Sequence, residues 1–112
     1  MIVWIWSSGV SYNQYDVVIV NLNPTVGSEI QKSRPCLIIS PNEMNYDNLI
    51  VAPMTSTYKD YPTRVKLKED SYIVLDQIRT ISIKRVINIT NIKLNTTQIQ
   101  KVKNIIKIML VD

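Results

Sequence analysis

Between residues 15 and 92 the chain is built from short β-branched runs, each too short for a helix and each closed by turn-forming residues. Residues 15–22 read Tyr-Asp-Val-Val-Ile-Val-Asn-Leu, the signature of a buried strand. Further strands are expected at 35–40, 48–54, 63–67, 72–75, 78–83 and 86–92, with Pro35 tolerable because it opens its strand. Residues 23–33 form a polar loop marked by Pro24 and Gly27, about twice the usual length of a strand connection and therefore a candidate for function. After residue 95 the period changes. Apolar residues fall at Ile99, Val102, Ile105, Ile106, Met109 and Leu110, the spacing of one helical face. Asn95 can cap this helix, with Gln98 in the reciprocal capping-box position. The pattern predicts a mainly β fold, a small barrel or sandwich, closed by one C-terminal helix.

With 112 residues, 46% hydrophobic content and only two glycines, the chain suffices for one domain and carries no linker. Thirteen Lys/Arg against nine Asp/Glu give a net charge of +4, which permits a nucleic-acid partner without demanding one. The basic residues are grouped: Lys32 with Arg34, Arg64 with Lys66 and Lys68, Lys84 with Arg85, and Lys101, Lys103 and Lys107 near the end. Those last three read as the solvated face of the helix. Histidine is absent, which removes paired-imidazole catalysis and most zinc sites. The single cysteine, Cys36, lies in an apolar run and reads as a buried structural thiol in a reducing cytoplasm. Residues 1–6, Met-Ile-Val-Trp-Ile-Trp, are apolar but too short for a membrane helix and lack a basic flank. They read as an extra strand or a disordered leader, within a 13-residue extension of unknown role that precedes a domain at 14–112. A cytoplasmic protein without membrane or cofactor is expected.

Four segments, in order, carry a family resemblance. Residues 15–29 lead a hydrophobic strand into Asn-Pro-Thr-Val-Gly-Ser-Glu; residues 33–41 read Ser-Arg-Pro-Cys-Leu-Ile-Ile-Ser-Pro. Residues 51–56 read Val-Ala-Pro-Met-Thr-Ser, with Tyr61-Pro62 shortly after, and residues 74–81 read Val-Leu-Asp-Gln-Ile-Arg-Thr-Ile. In this combination the chain resembles the MazF/PemK (Kid) toxins of type II toxin–antitoxin systems. The resemblance implies an SH3-like barrel with a C-terminal helix, a homodimer, neutralisation by a cognate antitoxin, and metal-independent cleavage of single-stranded mRNA. Two positions depart from the pattern. Tyr15 stands where the family usually has a glycine, and Val74 stands where one branch has an arginine, so no role of that arginine carries over.

Cleaving RNA without metal needs a base for the 2′-OH, a cation for the phosphorane charge and an acid for the leaving 5′-oxygen. Arg34 matches the family's catalytic Arg-Pro arginine, and its planar fork suits two phosphate oxygens. Thr55 matches the catalytic threonine, with Ser56 a weaker neighbour. Alone, an arginine there would read as a surface ion pair and a threonine as a local turn bond. The available carboxylates are Glu29 and Asp76, and either would need a raised pKa to act as the base. Glu29 could instead orient Arg34, and Asp76 could pin the neighbouring loop. Lys32 would add a phosphate contact, while Thr25 or Ser28 would read a base edge. Two other readings stay open: a gyrase-poisoning toxin on the same fold, and a barrel that binds nucleic acid without cutting it.

Overall fold

The computed structural model describes residues 11–24, Gly27 and residues 32–111. Among the described residues, seven strands and one α-helix follow in order: β1 (Asp16–Asn21), β2 (Ser33–Ile38), β3 (Asn48–Thr55), β4 (Arg64–Lys68), β5 (Ser71–Val74), β6 (Arg79–Ser82), β7 (Val86–Lys93) and α1 (Thr96–Ile106). They form an antiparallel sheet in the order β4-β5-β3-β2-β1-β7. The long strand β3 is its pivot. One edge of β3 pairs with β2, whereas the other pairs with β6 along Asn48–Val51 and with β5 at Met54 and Thr55. Because β3 serves two partners in succession along one edge, the sheet curls into a half-barrel.

The β-branched runs explain why both faces of this sheet are apolar. Alternate residues point to opposite sides. Val17, Leu37, Ala52, Met54, Val65 and Ile73 face the helix and pack with Leu75 and Val102. Val18, Val20, Leu22, Cys36, Ile38, Leu49, Val51 and Ile81 form a second core on the other face, flanked by Tyr12, Ile83 and Val86. A strand buried on both faces has no polar alternation, and this is why β1 reads as a continuous hydrophobic run.

All seven expected strands form, with ends shifted by a few residues. The largest shift is in β2, which starts at Ser33 and stops at Ile38 instead of running to Ser40. The reason is polar. The buried Ser40 hydroxyl donates to Asn45 Oδ1 at 2.5 Å and accepts from Ile50 N, so the chain turns around a buried hydrogen bond. Tyr15, at the family's glycine position, has φ +69. That left-handed conformation explains why glycine is favoured there; here the tyrosine packs against the helix-side core.

The helix begins as its sequence demands. Asn95 Oδ1 accepts from Gln98 N at 2.8 Å and Gln98 Oε1 from Asn95 N at 2.9 Å, completing the capping box. Gln98 Nε2 also donates to Leu67 O and so ties the helix start to β4. Val102 is fully buried, and Ile105 and Ile106 pack on the same core. Met109 and Leu110, expected on this stripe, are exposed instead. From Lys107 to Val111 the chain widens into a π turn, and the wider turn rotates these side chains away from the 3.6-residue face.

Candidate active site

Arg34 is the second residue of β2 and is half-buried across from Val20 of β1. Thr55 ends β3, half-buried, across from Tyr72 of β5. The ladder between β2 and β3 runs to Cys36 opposite Pro53. The pairing stops at that pair; continued by two residues, the same register would set Arg34 against Thr55 on the side of the sheet that Cys36 and Pro53 share. The Thr55 hydroxyl accepts from Thr57 N at 3.2 Å, so the local turn bond expected of a threonine is present and the O–H remains a donor.

Beyond Thr55 opens a cleft of about 320 Å³ lined by Thr55, Thr57, Lys59, Tyr61, Arg64, Asp76 and Gln77. Thr55 and Asp76 therefore share one cavity, while Arg34 is not among its lining residues. Asp76 is exposed in the short 3-10 turn after β5, and its Oδ1 accepts from the Thr63 hydroxyl at 3.1 Å. It pins the loop that carries Tyr61. Ser56 is exposed beside Thr55. Lys32 is exposed at φ +70, and its N–H donates to Asn23 Oδ1 at 3.0 Å. Thr25, Ser28 and Glu29, and the apolar start at residues 1–6, lie outside the described residues. Among the described residues no group of three or more His, Cys, Asp or Glu is gathered as metal ligands would be, and no helix is long and apolar enough to cross a membrane.

Two arginines missed by the sequence reading hold the root of the long loop. Arg79 Nη1 donates to Leu22 O at 3.0 Å, and Arg85 Nη1 donates to Asn21 O at 3.2 Å and to Asn23 O. Leu22 N donates to Lys32 O at 3.0 Å, closing the neck where the Asn23–Pro24 peptide bond is cis. The signal for Arg79 was its place in Asp-Gln-Ile-Arg, three residues after Asp76. Arg64 was visible only as part of a basic group.

Cys36 is fully buried, as its apolar run implied. Burial pushes its thiol up to about 12, against the opposing effect of the Arg79 charge. A thiol with that pKa has a thiolate fraction about 10³-fold below an ordinary cysteine near neutral pH, and the thiolate is the reactive form. We expect Ellman's reagent at pH 8 to label Cys36 only after denaturation; rapid labelling of the native protein would show that the second core opens.

No curated protein matches this sequence. Among solved structures, MazF from Deinococcus radiodurans superposes with a TM-score of 0.78 at 24% identity, covering 92% of this chain and 99% of that one. A MazE–MazF complex from the same organism gives 0.74 at 22% identity, over 91% of this chain and 97% of that one. An endoribonuclease in complex with its cognate antitoxin from a mycobacterial species gives 0.73 at 17% identity, over 90% and 96%. At these identities the likeness speaks for the fold. The family is shown by the sequence itself: its model matches residues 13–110, and the chain belongs to the PemK-like, MazF-like toxins of type II toxin–antitoxin systems.

Proposed function

We propose that this toxin is a metal-independent, sequence-selective endoribonuclease that cuts single-stranded mRNA, acts as a homodimer with a composite groove, and is neutralised by a cognate antitoxin. The reading is supported above all by strand register: the β2–β3 ladder runs to Cys36 opposite Pro53, and continuing it by two residues would bring Arg34 and Thr55 together. A guanidinium and a hydroxyl from adjacent rigid strands suit a single phosphodiester. The catalytic domain is taken as residues 14–112. The mycobacterial endoribonuclease bound to its antitoxin and the MazE–MazF complex support both the activity and the kind of partner.

In the proposed reaction the ribose 2′-oxygen attacks the adjacent phosphorus. A P–O2′ bond forms, the bond to the 5′-oxygen breaks, and the ends are a 2′,3′-cyclic phosphate and a 5′-OH. Arg34 neutralises the charge that gathers on the non-bridging oxygens, and Thr55 donates to one of them. Guanidinium is not deprotonated in proteins, so the 2′-OH proton passes to a carboxylate, Glu29 or Asp76, and the leaving 5′-oxygen takes up a proton from solvent. Asp76 already shares the cleft with Thr55. Lys32, Thr25, Ser28 and Ser56 contact the flanking nucleotides.

End-mapping of a structured RNA incubated with the protein in EDTA tests this directly. Cleavage at a recurring short sequence, cyclic-phosphate and 5′-OH ends, and an intact DNA of the same sequence are expected. A requirement for divalent metal, or 5′-phosphate ends, would overturn the chemistry. An RNA left whole would return the chain to the gyrase-poisoning or purely binding readings.

A further inference from the structure

The cleft beside Thr55 holds more positive charge than the reaction at one phosphate uses. Arg64, first residue of β4, lies with its guanidinium carbon 5.1 Å from the centre of the Tyr61 ring, and Lys59 Nζ lies 5.9 Å from the same centre. Arg64 Nε is buried and has no hydrogen-bond partner. The ion pairs among the described residues are Lys66–Glu69 and Lys93–Asp16, so neither cleft cation is paired. The carboxylate that lines the same cleft, Asp76, accepts from Thr63. With two cations beside one aromatic ring, one carboxylate in the lining and an unsatisfied buried donor, the cleft keeps a net positive charge and a free N–H for an anion.

We propose that Lys59, Tyr61 and Arg64 form a second phosphate subsite, which holds the RNA backbone next to the scissile phosphodiester. The ring fixes the plane of the Arg64 fork, the fork grips a non-bridging oxygen pair, and Lys59 adds a point charge at the exposed rim. The strand passes from this subsite to Thr55, which lines the same cleft. The choice of RNA as ligand rests on the ribonuclease reading; the anion-binding geometry does not.

The test is fluorescence anisotropy with labelled random hexamers of 2′-fluoro RNA, which lack the nucleophile and cannot be cut. Arg64→Ala is expected to weaken binding about tenfold and to reduce the slope of log affinity against log salt by about one phosphate contact. Arg64→Lys should restore the slope but not the full affinity. Lys59→Ala, at an exposed position that does not threaten folding, should lower the slope likewise, and Tyr61→Phe should bind as the parent does. Hexamer affinity within twofold of the parent and an unchanged slope in both Arg64→Ala and Lys59→Ala would overturn the subsite, as would a parent protein that does not bind the hexamers. The two readings separate cleanly. Hexamer binding without RNA cleavage sinks the nuclease and keeps the subsite; RNA cleavage with indifferent variants does the reverse.

Discussion

Arg34→Ala is expected to slow RNA cleavage by about 10²-fold or more while leaving the protein folded. In the transition state a second negative charge gathers on the phosphoryl oxygens, and a fixed guanidinium meets it without reorganising. Arg34 is suited to that task because β2 is an inner strand, paired to β1 and β3 on its two edges. Its backbone carbonyl accepts from Cys36 Sγ at 3.6 Å, a contact that truncating the side chain leaves in place. Arg34→Lys should recover only part of the lost rate, since an ammonium cannot span two oxygens. The measurement is kcat/KM on an oligonucleotide carrying the mapped site, with thermal melting run in parallel. Wild-type rates from a folded Arg34→Ala protein would remove this residue from the mechanism. A variant that melts early as well as cutting slowly would assign Arg34 a structural part instead.

What the sequence could and could not disclose follows from the range of each interaction. Strands β1 and β3 were readable because burial on both faces leaves an unbroken apolar run, and α1 because Asn95 and Gln98 announce its start four residues before the first stripe residue. The end of the stripe was not readable: Met109 and Leu110 keep the helical spacing, and only the widening of the chain after Ile106 takes them off the core. At the site, Arg34 and Thr55 were singled out through motifs, but whether the strands bring them together is a matter of register. It depends on Cys36 meeting Pro53, seventeen positions away, and no local signal fixes that pairing. The same holds more strongly for Arg79, whose partner carbonyl on Leu22 is 57 residues distant. The cleft residues Lys59 and Tyr61 lie in a stretch whose composition is that of any solvated loop, and Arg64 opens an expected strand as one of a basic group. Their meaning comes from the ring that gathers both cations, and a ring contact of this kind leaves no periodicity behind.

Leu37→Ala should destabilise the fold by about 3 kcal/mol and lower Tm by roughly 10–15 °C. Leu37 is the next-to-last residue of β2, fully buried, with Val17 and Ala52 as its cross-strand neighbours. Its face of the sheet is the one on which α1 lies, and Val102 belongs to the same cluster. Truncation to alanine removes three carbons from a position where Ala52 already supplies little volume, so nearby side chains cannot close the space by a small shift. The helix should feel the loss: amide exchange in α1 is expected to quicken more than exchange in β6, which lies on the far side of β3 from β2. Ile87→Ala provides the contrast. Ile87 is equally apolar but 60% exposed on the edge strand β7, and its truncation should change stability by no more than about 0.5 kcal/mol. Both variants must be melted at one protein concentration, because an associating chain gains apparent stability by mass action. A Leu37→Ala cost below about 1 kcal/mol would mean that α1 does not rest on this face. A large loss at Ile87 would instead mark β7 as a surface covered in solution.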